Sequence, residues 1–150
     1  RLPDCLQTLP GELLPGVAEL LNQLHLDENV HLSLLTGNYV EGAWIKLRHF
    51  GIDHFFETGG FGDNHAHRDD VARLAVDTVR VHLNCEVPES GACVIGDTPA
   101  DIRCARSIHA RAVAVATGMY SLAELQTHNP DHLFSDLSDT ATVARSLMQA

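Results

Sequence analysis

The segment CVIGDTPADI, residues 93–102, decides the fold of this chain. Three apolar residues run through Gly96 into Asp97, and a second carboxylate follows four positions later at Asp101. A short apolar run bounded by a turn is typical of a buried strand, and proline is well accommodated in the first turn of a helix. The segment therefore predicts a strand, a helix that begins at Pro99, and a carboxylate at the junction between them.

The same order of strand and helix recurs along the chain. Apolar or alternating runs predict four more strands, in VHLSLL (30–35), FFETGGFG (55–62), ARAVAVATG (110–118) and HLFSDL (132–137). Helical spacing, stop signals and a capping box predict helices in VAELLNQLHL (17–26), EGAWIKLRHFGI (41–52), HRDDVARLAVDTVRVHL (67–83), PADIRCARSI (99–108), SLAELQTH (121–128) and residues 139–148. Because parallel strands need long crossovers, this alternation predicts an α/β fold with a doubly wound, mainly parallel sheet.

Composition narrows the class of protein. The chain has 150 residues, is 45% hydrophobic and carries a formal net charge of −10, which indicates one globular domain. We place that domain at residues 15–150 and interpret residues 1–14 as a linker or the remnant of a preceding segment.

The acidic charge disfavours binding to nucleic acid, and no apolar run is long enough to predict a membrane span. The four cysteines form no CxxC pair, so we expect reduced thiols and a cytoplasmic location.

Polar, glycine-containing segments follow four of the predicted strands. They begin at Thr36, Gly59, Gly96 and Ala116. In an open parallel sheet, ligands bind outside the carboxyl ends of the strands. We therefore expect a functional site where these segments converge.

Two carboxylates in this set could bind a metal ion. Asp97 follows a strand directly, and Asp101 lies one helical turn later on the same helix face. Carboxylate oxygens are ligands that Mg²⁺ prefers. The alternative is that Asp97 caps the helix and that Asp101 is an acid favoured by the helix dipole.

Thr36, Gly37, Asn38 and Arg68 could bind an anion. A hydroxyl and backbone N–H groups at a turn between a strand and a helix form a phosphate cradle, and the Arg68 guanidinium could reach the same anion. The alternatives are an ordinary turn at residues 36–38 and a solvated arginine paired with Asp69 or Asp70.

Together these stretches resemble the haloacid dehalogenase (HAD) superfamily of hydrolases, and its phosphoglycolate-phosphatase-like members in particular. LSLLTGN (32–38) is similar to the second motif of the family, and VIGDTPADI (94–102) to the fourth, a strand followed by GDxxxD. The segments at 13–24 and 116–125 resemble the entry from the cap and the usual ending of the core. The resemblance implies a Rossmann-like core and a Mg²⁺-dependent hydrolase that cleaves a small phosphorylated metabolite through an aspartyl-phosphate. It also implies that Thr36 binds the phosphate, that Asp97 binds Mg²⁺, and that Asp101 positions Asp97 or the waters of the metal.

The sequence departs from the family pattern in two places. The third motif is usually a lysine, but the cation at that place is Arg68, with Lys46 as a second choice. The nucleophile motif, Asp-x-Asp after an apolar strand, does not occur in these residues. We therefore interpret the chain as a HAD core without its N-terminal strand and most of its cap, inactive alone. Its exposed sheet edge could pair two copies in a homodimer.

Three other interpretations stay open at this point. The first is a non-catalytic HAD-like module that serves binding or assembly. The second is a metal site built from Asp63, His65 and His67, because His-x-His is a usable ligand pair. The third is a dinucleotide-binding domain, although GGFGDN (59–64) does not match the GxGxxG pattern.

Overall fold

The computed structural model describes residues 16–27, 30–35, 40–60, 68–84 and 91–148. The helices in these ranges are α1 (Val17–His25), α2 (Val40–His49), α3 (Arg68–Leu83), α4 (Pro99–Ser107), α5 (Leu122–Gln126) and α6 (Thr140–Met148). The strands are β1 (Ser33–Leu35), β2 (Thr58–Gly60), β3 (Cys93–Gly96), β4 (Arg111–Val115) and β5 (His132–Phe134). The predicted order of helices and strands is confirmed, and a 3₁₀ turn at Asp53–Phe55, which the sequence did not predict, precedes β2.

All strand pairs in these ranges are parallel. β1 pairs with β2, with Ser33 opposite Thr58 and Leu35 opposite Gly60. β3, β4 and β5 form a second sheet in that order. The predicted α/β class with a doubly wound parallel arrangement is confirmed. Within the described ranges no pairing joins β1 to β3, so the strands are assigned to two sheets.

β4 is covered by helices on both of its faces. Val113 belongs to a buried cluster with residues of α1 and α6, whereas Ala112 and Ala114 belong to a cluster with residues of α4 and α5. Successive side chains of a strand point to opposite faces, which explains why adjacent residues of β4 join different clusters. This alternation is the physical basis of the doubly wound arrangement.

The other sheet is packed closely against α3. A Cβ placed on Gly60 would lie 2.4 Å from the Val71 carbonyl oxygen and 2.8 Å from the Ala75 Cβ. Only a residue without a side chain fits this approach. Gly60 was predicted to belong to a loop, but it lies in β2 and permits the close contact between β2 and α3.

A carboxylate at the edge of the core ties α4 to the second sheet. Asp131 Oδ2 accepts hydrogen bonds from the Ala112 N–H at 2.7 Å and from the Arg106 guanidinium at 2.8 Å. Partial burial raises the pKa of Asp131, but these two donors outweigh it and hold the pKa below its usual value. The ionised carboxylate thus fixes the C-terminal end of α4, the helix that carries the site described below.

The remaining expectations concern the cysteines, membrane-spanning helices and residues 1–14. No disulfide joins Cys93 and Cys104; Cys5 and Cys85 lie outside the described residues, so the expectation of reduced thiols stays a prediction. Among the helices described, none has the length and apolar character needed to cross a lipid bilayer. The predicted linker at residues 1–14 also lies outside the described residues.

Candidate active site

The turn between β3 and α4 carries the two predicted carboxylates. β3 ends at Gly96, and α4 begins at Pro99 with Thr98 as its N-cap in an extended conformation. Proline suits this position because its missing N–H would have no partner inside the helix. The chain thus turns from strand to helix within Asp97 and Thr98, which places the Asp97 side chain at the carboxyl end of β3.

Asp101 holds this turn in place. Its Oδ2 accepts hydrogen bonds from the N–H groups of Asp97 and Thr98, both at 3.1 Å, and from Thr98 Oγ1 at 2.9 Å. The Asp101 N–H donates in return to Thr98 Oγ1 at 3.3 Å, which completes a capping box. Acid at the start of a helix also interacts favourably with the helix dipole. Asp101 is therefore an acid in the first turn of the helix, as the alternative interpretation held, and its Oδ2 caps the start of that helix.

Two glycines provide the space for these carboxylates. A Cβ on Gly96 would lie 2.2 Å from both Cγ and Oδ2 of Asp101. A Cβ on Gly118, in the segment after β4, would lie 2.3 Å from Asp97 Oδ2. The segments that follow β3 and β4 therefore meet at the Asp97 carboxylate, as expected for neighbouring parallel strands.

Asp97 lies on a cleft at the carboxyl ends of β3 and β4. The cleft has a volume of ≈ 170 Å³, smaller than the usual site for a drug-sized ligand. It is lined by Val17, Ile95, Gly96, Asp97, Val115, Thr117 and Leu137. Its walls are mainly apolar, so the Asp97 carboxylate and the Thr117 hydroxyl are the polar side chains available to orient a ligand.

The other predicted site residues fall where the structure gives no side-chain description. Thr36, Gly37 and Asn38 lie outside the described residues. Arg68 is the first residue of α3 and Lys46 lies within α2, but the description does not extend to either side chain. Asp63, His65 and His67, the alternative metal ligands, are also outside it. The structure therefore brings Asp97 and Asp101 together, and the remaining assignments stay predictions.

Sequence reasoning missed three parts of this site. Gly118 is visible in the sequence as a glycine that follows a predicted strand, but the sequence does not indicate that it lies next to Asp97. Val17 and Leu137 line the cleft from positions 120 residues apart, and nothing in their local sequence indicates a ligand site. Thr98 as a helix cap could have been found from the Thr-Pro pair that precedes the helix.

Comparisons with known proteins agree with this geometry. The model of the HAD-hydrolase-like family matches residues 66–140, half of the chain. PpaX of Caldanaerobacter subterraneus subsp. tengcongensis, which is assigned as a pyrophosphatase, is 28% identical over 124 residues, or 81% of this chain and 53% of PpaX.

Solved structures give the same result. The haloacid dehalogenase-like family protein SP0104 of Streptococcus pneumoniae is 25% identical, with a TM-score of 0.76 over 89% of this chain and 60% of SP0104. A predicted phosphoglycolate phosphatase of Haemophilus somnus is 22% identical and shares the fold, with a TM-score of 0.72 over 89% of this chain and 57% of that protein. The chain thus spans less than two thirds of the length of each of these relatives.

Proposed function

The chain belongs to the HAD superfamily of hydrolases, and on that premise we propose that it forms the core of a Mg²⁺-dependent phosphate monoesterase. The observation that carries the proposal is the Asp97 turn. Its half-buried carboxylate lies on a cleft at the end of a parallel sheet, and Asp101 fixes the backbone beneath it. HAD enzymes generally use Mg²⁺.

The residues on this cleft fit a hard cation. Asp97 presents carboxylate oxygens beside a cleft of ≈ 170 Å³, and Mg²⁺ is commonly bound through one or two carboxylates while it keeps several waters. Asp97 would be the direct ligand, and Asp101 would position Asp97 and the waters of the metal. Bound Mg²⁺ supplies charge neutralisation to the phosphoryl oxygens.

We assign phosphate binding to Thr36, Gly37, Asn38 and Arg68. Leu35 and Gly60 are paired at the carboxyl end of β1 and β2, so the segments that follow them start at the edge where ligands bind. Arg68 begins α3, which packs on β2. A hydroxyl, backbone N–H groups and a guanidinium would together neutralise a phosphoryl group.

The substrate class is a small phosphorylated metabolite, and the catalysis needs a carboxylate nucleophile. No Asp-x-Asp follows an apolar strand in these 150 residues, so we assign the nucleophile to residues outside them and expect this chain to be inactive alone. We also propose a cytoplasmic location, because the four cysteines form no CxxC pair.

Hydrolysis of p-nitrophenyl phosphate tests the proposal. The 150-residue chain and a form extended upstream in its reading frame are assayed with and without Mg²⁺. We expect activity in the extended form with Mg²⁺, little in the same form with chelator, and none in the short chain. Equal activity in both lengths would contradict the position of the nucleophile, and no activity in either length would favour a non-catalytic HAD-like module.

We also propose that the 150-residue chain forms a homodimer through the edge of β3 that faces away from β4. Among the residues that the structure describes, β3 pairs only with β4. An exposed apolar edge strand readily pairs with another chain. Sedimentation velocity should show a dimer for the short chain and a monomer for the extended form, whereas a monomeric short chain at all concentrations would refute the pairing.

A further inference from the structure

Three side chains with metal-binding atoms meet at the amino ends of β1 and β2. His31 precedes β1, Glu57 precedes β2, and His82 lies in the last turn of α3. One nitrogen of each histidine and one Glu57 oxygen lie within 4.8 Å of one another. Asp97, in contrast, follows the carboxyl end of its strand, so this cluster is separate from the site proposed above.

The orientation of His31 is set by two hydroxyl groups. Thr58 Oγ1 lies 2.9 Å from Ser33 Oγ and 2.9 Å from His31 Nε2, so it can donate to Ser33 while it accepts the Nε2–H of His31. Neutral His31 then carries an unprotonated Nδ1. Metal-binding histidines typically donate their other N–H to a neighbouring polar group in this way. Thr58 is 5% exposed and therefore a rigid support.

A simple ion pair does not account for the whole arrangement. His82 Nε2 lies 2.7 Å from Glu57 Oε2, but the two side chains are 41% and 64% exposed, and such surface pairs stabilise a protein by only about 0–1 kcal/mol. His31 supplies a third possible metal ligand, and its ring lies 5.4 Å from the His82 ring. Two imidazole rings and a carboxylate are a ligand set that Zn²⁺ uses in open sites.

We propose that His31, Glu57 and His82 bind a divalent transition-metal ion of the Zn²⁺ class. Tetrahedral Zn²⁺ with bonds of about 2.0–2.1 Å places its ligand atoms about 3.3–3.4 Å apart. His82 Nε2 and Glu57 Oε2 are 2.7 Å apart, and all three ligand atoms lie within 4.8 Å of one another, so small movements would reach that value. The exposed Glu57 and His82 can adjust while Thr58 holds His31. A fourth position remains for water, and the ion would join the amino ends of both strands to the end of α3.

Titration of the 150-residue chain with Co²⁺ tests this proposal. Millimolar Mg²⁺ is kept in the buffer so that the hard carboxylate site does not compete for Co²⁺. We expect one Co²⁺ per chain, with the visible absorption of a four- or five-coordinate ion, and displacement by Zn²⁺. Glu57→Gln and His82→Gln should each weaken binding by at least about tenfold, since even outer-shell substitutions cost about 10–100-fold.

Two histidine variants outside the cluster serve as controls. His128→Gln changes an exposed histidine after α5 and should leave Co²⁺ affinity unchanged. His67→Gln tests the alternative His-x-His pair and should also leave it unchanged. Loss of binding in His67→Gln with wild-type affinity in both cluster variants would overturn the proposal. A chain without stoichiometric Co²⁺ binding would overturn it as well, and circular dichroism of each variant distinguishes lost ligands from lost folding.

Discussion

Asp97→Asn is expected to abolish Mg²⁺ binding and to lower phosphatase activity at least about 100-fold, which corresponds to about 2.7 kcal/mol of transition-state stabilisation. Asparagine keeps the size of the side chain beside Gly118 and removes only the charge. Because the hydrogen bonds of the turn involve the Asp97 backbone and the Asp101 carboxylate, the fold should be retained.

Two measurements distinguish a loss of Mg²⁺ binding from a loss of catalytic activity. Activity is measured in the extended form of the protein, and Mg²⁺ binding is measured in the 150-residue chain as a rise in thermal stability, since a ligand of the native state stabilises it. Asp77→Asn, at an exposed position of α3, is the matched control and should keep both properties. A variant at Asp97 that retains the Mg²⁺-dependent rise would exclude Asp97 as the ligand, whatever the activity.

Gly96→Ala is expected to destabilise the protein by about 2–4 kcal/mol. The new methyl group would lie 2.2 Å from Oδ2 of Asp101, so the Asp101 side chain must leave its position. The N–H groups of Asp97 and Thr98 and the Thr98 hydroxyl then lose their acceptor. The cost follows from a lost helix cap and unsatisfied donors, each about 1–3 kcal/mol. Urea unfolding measures it.

A double-mutant cycle identifies the cause. Asp101→Gly removes the Cβ, Cγ and Oδ2 atoms that clash as well as the cap, so the two changes together should cost clearly less than the sum of the single changes. Gly51→Ala is the control, because Gly51 has φ 71° and none of the described atoms lies within 4 Å of the point that a Cβ would occupy. It should cost about 1 kcal/mol from backbone conformation alone. Strict additivity of the Gly96 and Asp101 changes would show that the expected clash does not occur.

Much of the fold could be predicted because its signals are local. The Ser121–Glu124 capping box, the proline at the start of α4 and the glycine stop at Gly51 each depend on residues within one turn of the helix. Strand lengths were overestimated: the run at 30–35 forms a strand only over Ser33–Leu35. Val30 and Leu32, which precede the strand, are apolar because they pack against the cluster around Leu20 and Leu24 of α1, and they do not pair with another strand.

The site was predicted in part for a related reason. Asp97 and Asp101 do not share a helix face as predicted, because Asp97 precedes the N-cap Thr98; their proximity follows from the hydrogen bonds at the start of the helix, which are still local. The contact between Gly118 and Asp97 joins two crossover units, and the three residues His31, Glu57 and His82 come from three elements separated by about 25 residues each. Such contacts depend on register and helix packing, which no local pattern encodes.

The alternation along β4 has a consequence for how the protein can diversify. The helix α4, which fixes the turn at Asp97, packs on the alanine face through Ile102 and Ala105. Val17 and Leu137, which shape the mouth of the cleft, belong to the layer on the valine face. Reactivity and ligand shape are therefore supported by separate halves of the interior, so selection could remodel the preference for a substrate through one half while the chemistry stays anchored in the other.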